Sequence, residues 1–251
     1  MAKLKMQTFS TGMLGCNCSI IYSEESKEAI IIDPGDDELN IINRVEKLGL
    51  RVIKLLHTHA HFDHIGCSKN LKNRFSCSMH LHQGDEELYK ALSVQRQMFA
   101  IGDGDGPGVI DSWLQDDEDF SIDDEFKSFL KTLYTPGHTD CSYSYLMNDR
   151  VFTGDTLLIN GTGRTDFQNG NAKDAYNSIF NKLLKLPENT LLYPAHDYKG
   201  EKVSTIGKEK KFNPRLQVSS VDEYIDIMSN LNLKKPVEID TNVSKNIKLG
   251  A

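Results

Sequence analysis

The sequence predicts an α/β protein built from layers of sheet and helix. Short apolar, β-branched runs alternate with stretches whose apolar residues recur at helical spacing, and both halves of the chain show this alternation. No segment approaches the roughly 20 apolar residues that a bilayer-spanning helix needs. The hydrophobic share of 39% and the charged share of 26% are typical of an ordinary soluble protein.

Strands are predicted where apolar and β-branched residues form short runs that end at turn residues. In the first half, Asp33, Pro34 and Gly35 stop one run, and a later run leads directly into a histidine-rich stretch. The predicted strands cover 18–22, 29–32, 52–56, 78–81, 130–134, 144–146, 151–152 and 191–193.

Helices are predicted where the apolar spacing changes to three or four residues. Apolar residues recur at every third position from Leu39 to Leu48, which places them on one helix face. Because no flexible linker divides the chain, we expect a single domain over 1–251, with 216–251 as a C-terminal helix and tail packed on it. The predicted helices cover 38–48, 70–74, 86–99, 171–185 and 221–231.

Charge and cysteine content limit the possible partners and setting. The formal net charge is −7 and no dense basic tract is present, so no nucleic-acid partner is expected. The five cysteines form no CxxC pair, and the first residues lack the apolar core of a signal peptide. We therefore expect a reducing, cytoplasmic setting without membrane association. Oligomeric state does not follow from the sequence, and a homodimer stays open.

The stretch HTHAHFDHIG, residues 57–66, concentrates potential metal ligands. His59, His61, Asp63 and His64 lie within six residues, directly after a predicted strand. Imidazole and carboxylate groups at this density suit a borderline or hard divalent cation. Packing these groups together without a cation would cost free energy. The sequence therefore predicts a metal site at the end of this strand.

Further ligand candidates follow predicted strands later in the chain. His138 lies in YTPGHTD, Asp155 in VFTGDTL and His196 in YPAHDY, and each is expected at a strand end. His80 and His82, in MHLH, alternate within a strand pattern. We predict a structural role for these two, because nothing else of the ligand type surrounds them.

The motifs THAHFDH, GHT, GDT and PAHD, in this order, resemble the metallo-β-lactamase superfamily over about residues 17–196. The resemblance implies a four-layer αβ/βα sandwich, in which two sheets lie face to face with helices outside and the site at one edge. It also implies two adjacent metal positions. The first takes His59, His61 and His138, the second takes Asp63, His64 and His196, and Asp155 lies between them.

The superfamily resemblance does not decide the reaction. A divalent metal in such a site can activate water for hydrolysis, and iron can support oxygen chemistry. A non-catalytic scaffold protein is disfavoured because every ligand position of the pattern is filled.

The C-terminal half resembles the persulfide (sulfur) dioxygenases more specifically. GTGRTDFQNGNAKDAYNSIF, LPENTLLYPAHDYKGEKVSTIGKEKKFNPRL and EYIDIMSNLNLKKPVEIDTNVSKNIKLG carry this resemblance. It implies oxidation of glutathione persulfide by O₂ to sulfite and glutathione, with one Fe(II) per chain bound by His59, His138 and Asp155. The other ligand candidates would then orient ligands and water, with Asp63 and His64 as the candidate catalytic residues. These supporting residues are His61, Asp63, His64 and His196.

The N-terminal half is similar to a different enzyme class, the glyoxalase II-type thioester hydrolases. THAHFDHIG has Phe62 where the dioxygenases typically carry alanine, and LHQGDEELYKALSVQRQMF also resembles bacterial hydrolases. A hydroxyacylglutathione hydrolase would use two Zn(II) ions or a mixture of Fe, Zn and Mn. We favour the dioxygenase because its segments lie outside the shared metal scaffold.

Both alternatives imply a substrate derived from glutathione, whose carboxylates need binding partners. Arg164, Tyr198 and Arg215 are the candidates, since an arginine can bind a carboxylate through two hydrogen bonds. Each could instead hold the fold, and Arg164 could brace the loop after Asp155.

Overall fold

Two six-stranded sheets and a small two-stranded hairpin hold the strands of the described part of the chain. The structure is a computed structural model that describes residues 3–99, 104, 106–127, 129–166, 169–197 and 200–231. Within these residues, none of the helices combines the length and the apolar character needed to cross a membrane.

The first sheet follows the chain order strand by strand. Its first three strands pair antiparallel and the remaining ones pair parallel, so helices supply the crossovers. The strands are β1 (Leu4–Thr11), β2 (Cys16–Ser23), β3 (Glu28–Ile32), β4 (Arg51–Leu56), β5 (Ser78–Leu81) and β6 (Ser112–Trp113). The helices are α1 (Glu38–Leu48), α2 (Phe62–Ile65), α3 (Ser68–Phe75), a 3₁₀ turn (Gln83–Asp85), α4 (Glu86–Lys90) and α5 (Leu92–Met98).

The second half of the chain forms the second sheet and the hairpin. Its strands are β7 (Asp119–Phe120), β8 (Leu130–Tyr134), β9 (Tyr143–Met147), β10 (Arg150–Gly154), β11 (Leu157–Leu158), β12 (Gly161–Thr162), β13 (Leu191–Pro194) and β14 (Ser204–Thr205). The sheet order is β14-β13-β10-β9-β8-β7, while β11 and β12 form the hairpin. The helices are α6 (Ala172–Asn181), α7 (Ile206–Phe212) and α8 (Val221–Ser229), with 3₁₀ turns at Leu183–Lys185 and Pro214–Leu216.

Three separate cores show that the layers are helix, sheet, sheet and helix. Ile30 of β3 and Phe152 of β10 belong to the core between the sheets. Ile31, the next residue of β3, belongs instead to a core that includes Ile41 of α1. On the far side, Ile179 of α6 lies in a third core with residues of the second sheet. The four-layer αβ/βα sandwich expected from the resemblance is therefore confirmed.

The predicted helices and strands agree best with the structure where the apolar periodicity of the sequence is strong. The strand 78–81 and the helix 38–48 have the predicted bounds, whereas the helix expected over 86–99 is broken at Ala91 between α4 and α5. β1 was not predicted because it is a half-exposed edge strand without an apolar run. The predicted C-terminal helix, α8, packs on α6, where the ring centroids of Tyr224 and Tyr176 lie 5.8 Å apart. The tail expected beyond residue 231 lies outside the described residues.

His80 should couple the stability of the first sheet to pH. Its Nε2 lies 2.9 Å from Ser78 Oγ, its ring packs edge-on against Phe120, and burial lowers its pKa to about 4. An unfolded histidine has a pKa of about 6.5, so the unfolded chain takes up this proton first. The free energy of unfolding therefore falls as pH decreases from about 6.5 to about 4.

We predict that His80→Gln removes up to about 3 kcal/mol of this loss, because glutamine does not titrate. Urea unfolding of the metal-free protein at about pH 7.5 and about pH 4.5 measures the difference. Equal losses in the variant and the wild type would show that His80 makes no contribution.

Candidate metal centre

All seven ligand candidates meet at one edge of the sandwich. The stretch after β4 supplies four of them, and the loop after β8 supplies His138. Asp155 directly follows β10, and His196 follows β13, which pairs parallel with β10. Because these strands end at the same edge of the sandwich, side chains from distant parts of the sequence lie close together there. The predicted convergence is present in the described residues.

Three imidazole nitrogens converge at the first position. His61 Nδ1 lies 2.7 Å from His59 Nε2 and 3.1 Å from His138 Nε2. Nitrogens about 2.1 Å from one tetrahedral ion would lie about 3.4 Å apart, so this spacing is close to that of a shared cation. Burial and the neighbouring His138 lower the pKa of His61 to about 3. The ring is therefore neutral near pH 7 and has a lone pair available for a metal.

The second position combines the carboxylate of Asp63 with the imidazoles of His64 and His196. Asp63 Oδ2 lies 3.2 Å from His196 Nε2 and 3.8 Å from His64 Nε2. Burial alone would raise the pKa of Asp63, but the adjacent His64 and His196 hold this pKa below its usual range. The carboxylate is therefore ionised at neutral pH.

Asp155 lies between the two positions. Its Oδ2 is 3.5 Å from His138 Nε2 at the first position, and its Oδ1 is 3.5 Å from His196 Nε2 at the second. Within the described residues, Asp155 Oδ1 and His64 Nε2 are buried without a hydrogen-bond partner. Buried polar atoms are rarely left unpaired, and a bound cation would satisfy both. The donor set therefore fits a metal centre with one or two ions.

Hydrogen bonds at Nδ1, the ring nitrogen that points away from the metal centre, orient His138 and His196. His138 Nδ1 donates to the Arg164 carbonyl at 2.8 Å, and His196 Nδ1 donates to the Leu14 carbonyl at 3.2 Å. A carbonyl oxygen only accepts, so each Nδ1 carries a proton, and in the neutral ring Nε2 is the nitrogen that can bind a metal. Such outer bonds fix the ring orientation and raise the basicity of the ligand.

Asp33 has the same effect on His64. Its buried carboxylate accepts hydrogen bonds from the Thr58 N–H and the Thr58 hydroxyl, each at 2.8 Å, and from His64 Nδ1 at 3.1 Å. Gly154 closes this corner with φ +51°, and a Cβ there would lie 2.6 Å from Thr58 Oγ1, so a side chain does not fit. Asp33 was predicted only as a strand stop, because it lies 25 residues before Thr58 and no local pattern connects it to the histidines.

A second set of hydrogen bonds holds the backbone of the histidine-rich loop that follows β4. Ala60 N–H donates to Asp85 Oδ2 at 3.1 Å, and Gln95 Nε2 donates to the Ala60 carbonyl at 3.0 Å. Gln95 Oε1 also accepts from Phe62 N–H at 3.1 Å, while the Phe62 ring packs on Phe99. These supports come from the segment after β5, to which the sequence analysis gave no site role. No sequence pattern indicates that a helix glutamine binds this loop.

Two of the three predicted substrate-binding residues lie in the described part of the chain, and both of them contact other groups of the protein. The Arg164 guanidinium pairs with both oxygens of Asp166, at 2.6 and 2.7 Å. The half-buried Arg215 donates to the Thr162 carbonyl and so braces β12. Tyr198 lies outside the described residues. A role of these three residues in substrate binding stays a prediction.

His80 and His82 belong to none of the potential ligand groups found among the described residues. His82 Nδ1 accepts the Gly84 N–H at 3.1 Å and so caps a 3₁₀ turn. Cys16, by contrast, lies beside the second position although the sequence analysis gave it no role.

Comparison with known proteins identifies relatives of two enzyme classes. The family model described as metallo-beta-lactamase superfamily matches residues 11–196. The mitochondrial persulfide dioxygenase ETHE1 of Mus musculus is 39% identical over 244 residues, covering 93% of this chain and 85% of the relative. The hydroxyacylglutathione hydrolase GloC of Haemophilus influenzae is 35% identical over 207 residues, covering 81% of this chain and 94% of the relative. The crystal structure of ETHE1 from Myxococcus xanthus matches with a TM-score of 0.78 and 34% identity, covering 98% of this chain and all of that one.

We predict that His138→Ala abolishes activity and lowers metal affinity by more than about 100-fold, because even groups that only support a ligand contribute about 10–100-fold. Metal content after dialysis, measured by elemental analysis, tests this prediction. His82→Ala is the matched control and should keep its metal. Full iron content in the His138 variant would remove this residue from the ligand set.

Proposed function

The chain belongs to the metallo-beta-lactamase superfamily, and from this premise we propose that it is an Fe(II)-dependent dioxygenase that oxidises glutathione persulfide to sulfite and glutathione. The observation that carries the proposal is the extent of the likeness: similarity to the persulfide dioxygenase covers more of this chain than similarity to the hydrolase. The similarity to the dioxygenase extends beyond residues 11–196, the range that the family model matches.

The donor set suits the proposed metal. In the proposal, His59, His138 and Asp155 hold one Fe(II) per chain. Iron bound by two histidines and one carboxylate would leave positions open for O₂ and the substrate sulfur. His138 and Asp155 already lie 3.5 Å apart through Nε2 and Oδ2, and the Arg164 carbonyl fixes the His138 ring.

In the proposal, the remaining polar groups orient the metal ligands and water. Each persulfide consumes one O₂ and one water, and the products are glutathione, sulfite and protons. Asp63 is ionised, and its side chain is 12% exposed, so it can accept a hydrogen bond from incoming water at Oδ2 and orient that water. His64 is fully buried and held by Asp33, so in the proposal it does not contact solvent, and its electrostatic effect keeps Asp63 ionised.

A second candidate is a hydroxyacylglutathione hydrolase with two Zn(II) ions or a mixed Fe, Zn and Mn centre. The observation that favours it is the position of Asp155, whose two oxygens face the two metal positions separately. Two-metal sites hold their ions about 4 Å apart, and Asp155 would be the carboxylate available to both ions. The same metal centre therefore supports both candidates, and the reaction must be measured.

The proposal extends to substrate and setting. Arg164, Tyr198 and Arg215 would bind the glutathione carboxylates, and no nucleic acid or membrane takes part. The five cysteines are all free and buried, which supports a reducing, cytoplasmic setting.

We predict that Arg215→Ala raises KM for the glutathione substrate more than it lowers kcat, because a remote carboxylate clamp contributes mainly uniform binding. Steady-state kinetics of the iron-loaded protein measure both constants. Arg150→Ala is the control, since Arg150 pairs with Asp149 at the opposite end of β10 from Asp155. An unchanged KM would leave Arg215 with its role in bracing Thr162.

We predict that protein loaded with one Fe(II) per chain consumes O₂ and releases sulfite when glutathione persulfide is added. Holding both reactants at one metal makes their encounter an intramolecular step. Zinc should abolish this activity without unfolding the protein, because zinc has no redox chemistry. An oxygen electrode and a sulfite assay on the same preparation provide the measurement.

The hydrolase alternative gives the opposite pattern. Zinc would sustain cleavage of S-lactoylglutathione, and oxygen would have no effect. Strong thioester cleavage with zinc, together with no oxygen uptake with iron, would falsify the dioxygenase proposal.

A further inference from the structure

The side chain of Gln95, in the middle of α5, is buried against the histidine-rich loop that follows β4. Its Nε2 donates to the Ala60 carbonyl at 3.0 Å, and its Oε1 accepts from the Phe62 N–H at 3.1 Å. Ala60 and Phe62 are the residues directly before and after His61. One planar amide therefore holds the backbone on both sides of a single ligand candidate.

The local backbone explains why one side chain can bind both groups. His61 is extended, with φ −69° and ψ 145°, and α2 begins at the next residue. In extended backbone, the carbonyl before a residue and the N–H after it point to the same side. The Phe62 N–H is also one of the first N–H groups of a helix, which have no acceptor within that helix. Gln95 supplies this acceptor.

A third hydrogen bond fixes the orientation of the Gln95 amide. Nε2 also donates to the Leu88 carbonyl at 2.8 Å, in the last turn of α4. Carbonyls only accept and the Phe62 N–H only donates, so the amide oxygen and nitrogen have only one assignment. Seven residues of continuous helix would separate Leu88 from Gln95 by about 10 Å along the axis. The break at Ala91 between α4 and α5 therefore brings this carbonyl within reach.

The position of His61 at the metal centre depends directly on its backbone. Its Nδ1 is the nitrogen at the first position, 2.7 Å from His59 Nε2 and 3.1 Å from His138 Nε2. Nδ1 is bonded to Cγ and stays close to Cβ whatever the ring torsion, whereas Nε2 lies across the ring. A shift of the His61 backbone therefore moves Nδ1 with it.

We propose that Gln95 is a positioning residue of the metal centre: by fixing the backbone on both sides of His61, it sets the metal affinity of the first position. Groups that support a ligand without touching the ion contribute about 10–100-fold to metal affinity. The inference deepens the proposed function, because it rests on a metal at the first position, and it applies to either candidate reaction.

Cobalt(II), as a substitute for iron or zinc, tests the proposal without reference to activity. Titration of the metal-free full chain under anaerobic conditions gives the affinity of each bound equivalent. Gln95→Met keeps the length of the side chain but removes its three hydrogen bonds. We expect it to weaken cobalt binding at the first position by at least about tenfold. His61→Ala identifies the equivalent that belongs to this position, because it removes the ring itself.

A double variant tests whether Gln95 acts through His61. If it does, Gln95→Met combined with His61→Ala should bind cobalt no more weakly than His61→Ala alone, because the effects of residues that act through one another do not add. Independent effects would multiply in the double variant. A glutamine that only stabilised the fold would not produce this dependence.

Two variants in the same helix separate positioning from a general effect on α5. Gln97→Met changes an exposed glutamine two residues away and should leave the cobalt affinity unchanged. Leu92→Ala removes a buried apolar side chain and should lower the free energy of unfolding. The cobalt affinity of the folded Leu92 variant should nevertheless equal that of the wild type.

Three results would overturn the proposal: an unchanged cobalt affinity in Gln95→Met, an equal loss of affinity in Leu92→Ala, or multiplied losses in the double variant. If circular dichroism shows that Gln95→Met does not fold, Gln95→Asn replaces it, and the same criteria apply. Asparagine keeps the amide but is one methylene too short to bind all three groups. Failure here leaves the oxygen-uptake test intact, because that test measures the reaction and not the contribution of Gln95.

Discussion

The buried carboxylate of Asp33 is the interaction on which the metal centre depends. It joins the end of β3 to the loop after β4 through the Thr58 N–H and hydroxyl, and it fixes the direction of His64. Without this acceptor, buried donors would be left unpaired at a cost of about 1–3 kcal/mol each. The geometry of the sheet edge and the aim of the ligand are therefore set by one side chain. Because the other ligands meet His64 at this edge, their arrangement follows from the same constraint.

The two metal positions differ in charge, and this difference bears on function. Three imidazoles surround the first position, and burial keeps the pKa of His61 and His138 below the usual value, so these rings are neutral. The second position contains the ionised Asp63. Asp155 contributes one oxygen to each side. Under the proposal, iron at the first position would supply oxygen chemistry, whereas two zinc ions would support hydrolysis.

The fold could be predicted wherever local periodicity and burial agree. α1 has a regular apolar face and β3 a continuous β-branched run, and both appear where the sequence placed them. β1 and α7 were missed because their stability comes from partners distant in the chain. β1 is a partly exposed edge strand, and the lysine-rich α7 buries only Ile206 and Glu209. Glu209 is buried because it accepts hydrogen bonds from the Asn160 N–H and the Asn213 amide, which no local pattern reveals.

For the site, the sequence determined which groups are available and that they lie at strand ends. His59, His138 and Asp155 each follow a strand, and strand direction alone brings such groups to one edge. Only the tertiary structure decided which nitrogen of each ring faces the metal, because this depends on acceptors such as the carbonyls of Arg164 and Leu14. It also decided that Cys16 reaches the second position, through hydrogen bonds from Asn17 to a segment almost 180 residues away. Sequence spacing records side-chain chemistry and local periodicity, whereas the direction of a lone pair depends on contacts between segments that only folding brings together.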